Sequence, residues 1–546
     1  MYLVLNEDFV LSSAYRPRRL ICRHLYSTAT MWAAVSYVHK LPCDNPLLRI
    51  PYFVKPRLST VLDVLRDVEI SVCIWIESTM SNTSCGVFTV DHYGSERRLG
   101  WTSAPNYRGT FDIIWSCAFT LFLCCWSILV VNVPGPNPNQ WQLVLRKLCL
   151  VGLSAMAPEL VFWIALSQWL SARQSVTLFR NSNYQWWTIR HGFYANMGGL
   201  RFQPAGWKSF PINAKQLHYL VEMGYVQLPE IHEGQIRDKN KVDGMLRLIT
   251  GIQALWFVVN VLMRPIQGLT VTALELSTAA FVWLGFATSL CWLSKPADVE
   301  QADVITSTKT MAEILLEGGD AAAGVYYYTP LDFVGHAEWP WSRLWNHGLN
   351  LLRRLHWAGA RPPAQRPLPR FQNTIIPAVE GWYYALWVIM SSAYFAIFIA
   401  AWNFSFPTRT ECYLWRAASV IALGSAWVIC FTMNWCCTWY PELRSKLPQT
   451  QPDDTPQTRG THSLQLKKRI WGTAWCYRVL AHFRNNSVMK NPSLDTPATL
   501  ILVTWIFGTF YASARAYVVI ADIIELRSLP ASAYKTVEWS NIWPHF

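Results

Sequence analysis

Long apolar stretches alternate with polar segments along this chain, and seven of the stretches match the length of a bilayer core. A crossing takes about 20 helical residues, because each helical residue rises 1.5 Å through a hydrocarbon layer about 30 Å thick. The pattern therefore predicts an all-α, polytopic membrane protein with about seven transmembrane helices. The predicted spans are Phe111–Val133, Leu148–Leu170, Leu248–Met263, Val271–Leu293, Trp382–Trp402, Ala417–Cys437 and Pro497–Ile520.

Three long polar segments separate the spans, and each exceeds an ordinary loop in length, so each is predicted to have structure of its own. In the first, Leu217, Leu220 and Val221 share one face of a predicted helix that Gly224 is placed to end. The predicted regions are a poorly defined polar N-terminal region (1–108), the first four spans (109–293) with a structured polar segment (171–247), a polar segment with an interfacial helix and a Pro-rich spacer (294–381), and the last three spans (382–546) with a basic polar segment (438–496).

The composition agrees with a bilayer partner and argues against nucleic acid. The chain is 52% hydrophobic and 15% charged, whereas a soluble domain has roughly 25% charged residues. The formal net charge is +13, but the basic residues are spread through the loops without an RNA- or DNA-reading motif. Two basic amphipathic stretches, Arg343–Trp357 and Gln465–Arg484, are interpreted either as helices in the head-group plane or as solvated helices on the protein's own loops.

The distribution of basic residues and the glycosylation sequons give conflicting orientations. Within about 15 residues of the span ends, 15 Lys and Arg lie on the side of the N-terminal flank and the long polar segments, and 7 lie on the other side. This bias favours a cytosolic N-terminus and an extracytosolic C-terminus. The sequons at Asn82 and Asn485 require the opposite orientation, while the sequon at Asn403 fits but adjoins a span.

Two acidic residues inside predicted spans are the candidate catalytic residues. Glu159 follows Pro158 near the middle of the second span, where a carboxylate costs about 2.5–3.5 kcal/mol to insert. It is interpreted either as a functional group in a cavity or as a hydrogen-bonded residue that holds helices together. Glu275 lies about one turn inside the fourth span and is the weaker candidate. Arg515 either reaches the membrane surface or is a cationic partner for a glutamate.

No metal or cofactor site is predicted. The 14 cysteines include no C-x-x-C pair, and the histidines are scattered singly, so no spacing suits zinc. The vicinal pair Cys124–Cys125 is interpreted either as two small hydrophobic residues or as a redox-active or acylated pair. The chain also has no Walker loop, no G-x-S-x-G and no H-E-x-x-H motif, which argues against ATP-driven transport and serine hydrolysis.

Five stretches of this chain carry a resemblance to a known family. They are Arg108-Gly-Thr-Phe-Asp-Ile-Ile-Trp-Ser-Cys, Ala157-Pro-Glu-Leu, Phe210-Pro-Ile-Asn-Ala-Lys-Gln-Leu, Thr272-Ala-Leu-Glu-Leu-Ser-Thr and Trp292-Leu-Ser-Lys-Pro-Ala-Asp-Val. By these stretches, about four fifths of the chain resembles a family of uncharacterised multipass proteins of filamentous fungi. Members of that family often begin with a signal-like segment, which implies an extracytosolic N-terminus, although this chain shows no such segment. The resemblance implies no assigned reaction, but fungal genes of this kind can accompany natural-product pathways.

Three functions follow as hypotheses. The leading one is an accessory, scaffold or carrier protein of an endomembrane or the plasma membrane that handles an apolar metabolite or lipid beside Glu159. The alternative is an intramembrane acid–base enzyme, such as a terpenoid cyclase or isomerase, which requires Glu159 and Glu275 to converge on one aromatic pocket. Secondary transport is the third, and it predicts helices broken at the midplane together with an internal repeat, of which the sequence gives no convincing sign.

Overall fold

A computed structural model describes residues 97–104, 108–136, 140–228, 230–240, 244–324, 326, 328–335, 366–373, 376–377, 381–436 and 498–539. All of them belong to one compact unit, Thr83–Phe546. The strand predicted near residues 68–76 and both basic amphipathic helices lie outside the described residues. The same is true of the basic polar segment 438–496.

The described part of the chain is mostly helical, and six helices are long and apolar enough to cross a membrane: α1, α7, α8, α11, α12 and α13 in the order below. They coincide with six of the seven predicted spans. The elements are β1 (Arg98–Leu99), α1 (Thr110–Ile128), α2 (Gln140–Met156), α3 (Pro158–Asn181), α4 (Ile189–Asn196), β2 (Leu200–Ala205), β3 (Phe210–Pro211), α5 (Ala214–Glu222), α6 (Glu233–Asp238), α7 (Gly244–Ile266), α8 (Ala273–Cys291), β4 (Asp303–Thr310), α9 (Met311–Glu317), α10 (Gly319–Ala322), α11 (Trp382–Ala400), α12 (Arg409–Asn434), α13 (Ala498–Glu525) and β5 (Leu529–Pro530).

The second predicted span, Leu148–Leu170, is not one continuous helix. It is divided between α2 and α3, which meet at Ala157 with a bend of 116°. Pro158 explains the position of the break, because proline has no N–H to donate and its ring clashes with the preceding turn, yet it suits the first turn of a new helix. Pro158 accordingly occupies the first position of α3.

A small polar domain interrupts the helices, so the all-α prediction is wrong in this respect. Strand β2 pairs with β3 in antiparallel and with β4 in parallel orientation, which gives a three-stranded mixed sheet. The predicted helix with Leu217, Leu220 and Val221 on one face is confirmed as α5, and Gly224 follows its end with φ +72°. Residues 182–240 and 297–335, here called the polar domain, are contributed by two of the predicted polar segments and share one core around Phe202, Phe210 and Leu217.

The helix ends meet the polar domain at one end of the bundle, which we call the domain end. After α1, the amide of Val133 donates to Met197 O at 3.0 Å. After α8, Lys295 Nζ donates to Val130 O at 3.1 Å. In the first half of α2, Lys147 pairs with Asp298. The end of α1, the start of α2 and the end of α8 therefore lie together beside the polar domain.

The opposite end of the bundle, which we call the terminus end, holds the residues just before α1 and just after α13. Strands β1 and β5 pair in antiparallel orientation, with Arg98 opposite Pro530. Arg264, near the end of α7, is 2% exposed and donates to the carbonyl oxygens of Ser532 and Ala533. The chain thus enters its first long helix and leaves its last one at the same end.

This arrangement fixes the path of the bent pair. Helix α2 starts at the domain end, and α3 runs back to the polar domain, where it packs against α4 and α5. Tyr511, halfway along α13, reaches the carbonyl oxygen of Met156 at 3.2 Å. The pair therefore enters from the domain end, turns beside the middle of α13 and returns to the domain end without crossing the bundle.

Candidate functional site at the helix break

The break between α2 and α3 leaves backbone carbonyls at the end of α2 without partners in their own helix. The side chain of Arg515 on α13 donates hydrogen bonds to these carbonyls: its Nε donates to Met156 O at 3.2 Å and its Nη2 to Ala155 O at 3.5 Å. The Tyr511 hydroxyl lies 2.5 Å from Oε1 of Glu159, in the first turn of α3. One face of α13 therefore covers both sides of the break.

Glu159 is held at three points and keeps one carboxylate oxygen unpaired. It is 8% exposed, and its backbone carbonyl accepts a hydrogen bond from Trp387 Nε1 at 2.9 Å. Its Oε1 accepts from Tyr511, whereas its buried Oε2 has no hydrogen-bond partner among the described residues. Arg515 is close enough to interact electrostatically with the carboxylate. Arg515 is therefore the cationic partner that the sequence analysis considered for a glutamate. It interacts with Glu159 through its charge and not through a direct ion pair.

Aromatic rings surround this polar group. The Arg515 guanidinium lies 5.3 Å from the ring centre of Tyr394 and 5.2 Å from that of Phe398. On the other side, Trp163 and Trp387 pack with ring centres 4.9 Å apart. Cation–π contact stabilises a desolvated guanidinium by up to about 2 kcal/mol. The surroundings of Glu159 are thus aromatic and low in water. The acid–base hypothesis requires such surroundings for both Glu159 and Glu275, and Glu159 meets this requirement.

A small, partly open apolar crevice adjoins the same break. Its polar contributions are hydroxyl and thiol groups, and the Cys125 thiol lies 3.5 Å from the Ser154 hydroxyl. Pro158 belongs to the crevice wall, whereas the carboxylate of the next residue, Glu159, faces α13. The lining residues are Cys124, Cys125, Ile128, Leu129, Ser154, Pro158, Val161, Phe281, Gly285 and Thr288.

The second candidate carboxylate, Glu275, holds the start of α8. Its Oε2 accepts from the amide and the hydroxyl of Thr272, both at 3.0 Å, in a capping box. Its Oε1 pairs with Arg108 Nη2 at 2.5 Å, and Arg264 Nε lies 3.8 Å from its Oε2. Both oxygens of Glu275 are therefore engaged at the terminus end. No contact among the described residues joins Glu275 to Glu159, so the convergence that the acid–base alternative requires is not found there.

Sequence reasoning missed Tyr511 and understated the acidic residues of α13. Asp522 accepts from the Ser277 hydroxyl at 2.9 Å, and Glu525 accepts from the amide of Ala273 at 2.6 Å. Positions 511, 515, 522 and 525 are separated by 4, 7 and 3 residues, which places them on one helix face. That spacing was visible in the sequence and indicates a buried polar face that extends from the break to the terminus end.

His218, which the sequence left as an isolated residue, lies between two polar groups of the polar domain. Its Nε2 is 2.8 Å from Ser182 Oγ, and its Nδ1 is 3.4 Å from Glu222 Oε2. A serine nucleophile also needs free N–H groups for an oxyanion. The amides of Ser182 and Asn183 instead donate to carbonyl groups of the preceding turn. This arrangement therefore ties α3 to α5 and does not form a complete acyl-transfer site.

The glycosylation candidates are only partly described. Asn403 is exposed in a short 3₁₀ turn after α11, with its Oδ1 3.5 Å from Arg416 Nη2. It lies at the terminus end, because Ser405 in the same loop accepts a hydrogen bond from Arg98. Asn82 and Asn485 lie outside the described residues.

These observations define a mostly helical protein with six membrane-length apolar helices, a bent helix pair between them and a small mixed-sheet polar domain. The chain belongs to a family of unknown function, DUF8562, whose profile matches residues 87–317 and 465–546. This agrees with the resemblance to an uncharacterised family. Searches of curated proteins and of solved structures returned no match.

Proposed function

We propose that this protein is a multipass membrane protein that carries an apolar or amphipathic small molecule within the bilayer. The observation that carries the proposal is the helix break inside the bundle, with a crevice on one face and a buried carboxylate on the other. Exposed backbone inside a hydrocarbon layer is tolerated where protein covers it or a cavity accepts it, and discontinuous helices mark binding sites in many carriers.

In this proposal the bent pair is a re-entrant element and the chain crosses the membrane six times. Both α2 and α3 have their outer ends at the domain end, and the pairing of β1 with β5 requires an even number of crossings between them. The segment between α1 and α3, with Arg146 and Lys147 on α2, then lies on the same side as the long polar segments, so Lys and Arg still concentrate at the domain end. That end is cytosolic by the positive-inside rule, in an endomembrane or the plasma membrane.

The change from seven crossings to six removes most of the conflict between the sequons and the distribution of basic residues. Asn82 precedes the described N-terminal flank by only 14 intervening residues, too few for a helix that crosses a bilayer. With six crossings, Asn82 and Asn403 both lie on the extracytosolic side, together with the C-terminus. Asn485 remains cytosolic and unmodified in this arrangement.

The crevice lining specifies the chemical class of the cargo. Its walls are hydrocarbon with a few thiol and hydroxyl groups, and no charged side chain lines it. The enclosed space is smaller than that of ordinary ligand sites, which span about 300–1,000 Å³, so only part of a cargo molecule enters it. An isoprenoid or acyl chain with at most a hydroxyl or carbonyl group fits this lining. The resemblance to fungal multipass proteins adds the proposal that the cargo is an apolar natural product.

The break connects the crevice to the polar face of α13. Pro158 lines the crevice and Glu159 binds Tyr511, so a movement of the first turn of α3 changes both. Entry of a cargo against Pro158 therefore acts on the contacts of Glu159 and Arg515 with α13. The carrier mechanism uses this turn as the moving part.

A pair of glycine substitutions tests the proposal. A Cβ at Gly285 meets Ile128 at 3.6 Å, so Gly285→Leu extends into the crevice, whereas a Cβ at Gly424 on α12 meets nothing within 4 Å. A diazirine-bearing farnesol analogue should label the purified protein at α1 and α8. We expect Gly285→Leu to lower this labelling about tenfold, or about 1.4 kcal/mol, and Gly424→Leu to leave it unchanged.

Equal labelling of the wild type and Gly285→Leu would refute the crevice as the cargo site. The acid–base enzyme is not favoured as a second candidate, because both oxygens of Glu275 are engaged at the terminus end, away from Glu159. Conversion of an isoprenoid by the purified protein, abolished by Glu159→Gln, would support this enzyme in place of a carrier.

A further inference from the structure

Five basic side chains from four parts of the chain gather at the domain end. Lys147 pairs with Asp298 at 3.1 Å, and Asp298 also interacts electrostatically with Arg247 in the first turn of α7. Arg247 in turn interacts with Lys295, and Arg146 with Arg370. We call Arg146, Lys147, Arg247, Lys295 and Arg370 the basic cluster. The interactions above place one described carboxylate, Asp298, among its five basic side chains.

Two members of the basic cluster have buried nitrogen atoms without hydrogen-bond partners among the described residues: Nη1 of Arg146, and Nε and Nη2 of Arg247. A guanidinium stays charged at every physiological pH and its N–H groups are donors only. A buried charged donor without a partner costs more free energy than a buried neutral donor without a partner. The protein therefore presents three N–H-bearing nitrogens that lack an acceptor.

The remaining members show that this region lacks negative charge. Lys295 Nζ donates to neutral oxygens, of Val130 at 3.1 Å and of Gln168 at 2.8 Å. Burial and the like charge of Arg247 lower the pKa of Lys295 to about 7. Burial and the like charge of Arg146 lower the pKa of Arg370 to about 10. An anion at the basic cluster would relieve the repulsion in both pairs.

The position of the cluster matches the depth of lipid head groups. Arg146 and Lys147 lie in the second turn of α2, and Arg247 lies in the first turn of α7, at the end that carries most of the positive charge. Lys147 Nζ lies 4.3 Å from the ring centre of Trp126, and tryptophan favours the membrane–water interface. The paired N–H groups of a guanidinium match two oxygens of a phosphate.

We propose that the basic cluster binds a phosphate group, with Nε and Nη2 of Arg247 as its principal donors. The phosphate belongs either to a phospholipid head group in the cytosolic leaflet or to a free anion. This site is separate from the crevice and does not depend on carrier activity. Asp298 holds Lys147 aside, so Arg247 supplies the paired donors and Arg146 adds positive charge nearby.

Native mass spectrometry of the full-length protein with phosphatidic acid and phosphatidylcholine tests the site. The wild type should retain phosphatidic acid about tenfold more than phosphatidylcholine. We expect Arg146→Gln combined with Arg247→Gln to abolish this preference. The matched control is Arg180→Gln, because Arg180 is exposed and lies at the end of α3; this variant should behave as the wild type.

A second variant shows whether lost binding is due to misfolding. Competition by inorganic phosphate distinguishes a lipid phosphate from a free anion as the ligand. Arg247→Lys keeps the charge but loses the paired donors, so it should fold and still weaken retention. If inorganic phosphate competes with phosphatidic acid and raises the melting temperature of the wild type alone, the site accepts the free anion; if it does neither, the site is specific for lipid. Equal retention of both lipids without any effect of phosphate, or a preference unchanged in the double variant, would overturn the proposal.

Discussion

At the residue scale, the structure separates two glutamates that the sequence treats alike. Glu275 is part of a capping box and two arginine contacts, so both of its oxygens serve the fold. Glu159 has one paired and one unpaired oxygen beside a helix break. The sequence identified Glu159 through its position in an apolar stretch. Its partner Tyr511 was not identified, because a tyrosine inside such a stretch attracts no notice until its neighbours are known.

Arg515 should be the residue on which the helix break depends most. Replacing it with methionine leaves the carbonyl of Ala155 without a donor, leaves Met156 O with the Tyr511 hydroxyl alone, and leaves Glu159 without a nearby cation. Removing one side of a buried charged contact costs about 3–5 kcal/mol. We therefore expect Arg515→Met to lower the melting temperature of the purified protein strongly. Adding Glu159→Gln to this variant should recover part of the loss, since it removes the unpaired charge.

The control for this experiment is Arg527→Met. Arg527 pairs with Glu411 at the terminus end, but its side chain is 52% exposed, and exposed pairs contribute about 0–1 kcal/mol. If Arg515→Met and Arg527→Met shift the melting temperature equally, Arg515 does not hold the break.

At the element scale, the elements that the sequence predicted correctly are those encoded by a local pattern of apolar residues. Six membrane-length helices, α5 and its stop at Gly224 follow from apolar length and helical periodicity. Pro158 also signalled a disturbance of the second span, but not that the helix would turn through 116°. The three-stranded sheet was missed, because β2 and β4 pair across a gap that includes α7 and α8. Nothing in either short strand identifies so distant a partner.

The packing of α3 against α4 gives a prediction at this scale. A Cβ at Gly192 would lie 2.4 Å from Ser175 Oγ and 2.7 Å from the carbonyl oxygen of Ala172. Gly192→Ala should therefore push α4 away from α3 and destabilise the protein by about 1–3 kcal/mol, as overpacking does. Gly234→Ala on α6 is the control, because its Cβ meets nothing within 4 Å. A thermal unfolding shift of opposite sign, or none, in Gly192→Ala would contradict this packing.

At the scale of the whole molecule, contacts between distant residues place the residues before α1 and those after α13 at one end of the bundle, and this is the basis of the proposed orientation. Seven apolar stretches suggested seven crossings and ends on opposite sides. The pairing of Arg98 with Pro530 and the bonds of Arg264 to residues after α13 place both ends together. Local hydropathy could not reveal this, because a re-entrant pair and a full crossing have the same apolar composition. The contact between the helix break and the middle of α13 is what favours a re-entrant pair over a full crossing.

Glycosylation mapping tests this orientation directly. With six crossings, Asn82 and an acceptor sequon appended after Phe546 should both be modified, while Asn485 should not. The readout is the mobility shift on endoglycosidase H treatment of the protein from microsomes, and Asn82→Gln should remove the part due to Asn82. Modification of only one of the two ends means an odd number of crossings, because an even number returns the chain to its starting side. In that case α2 and α3 together span the bilayer, and the helix break is a kink within a crossing.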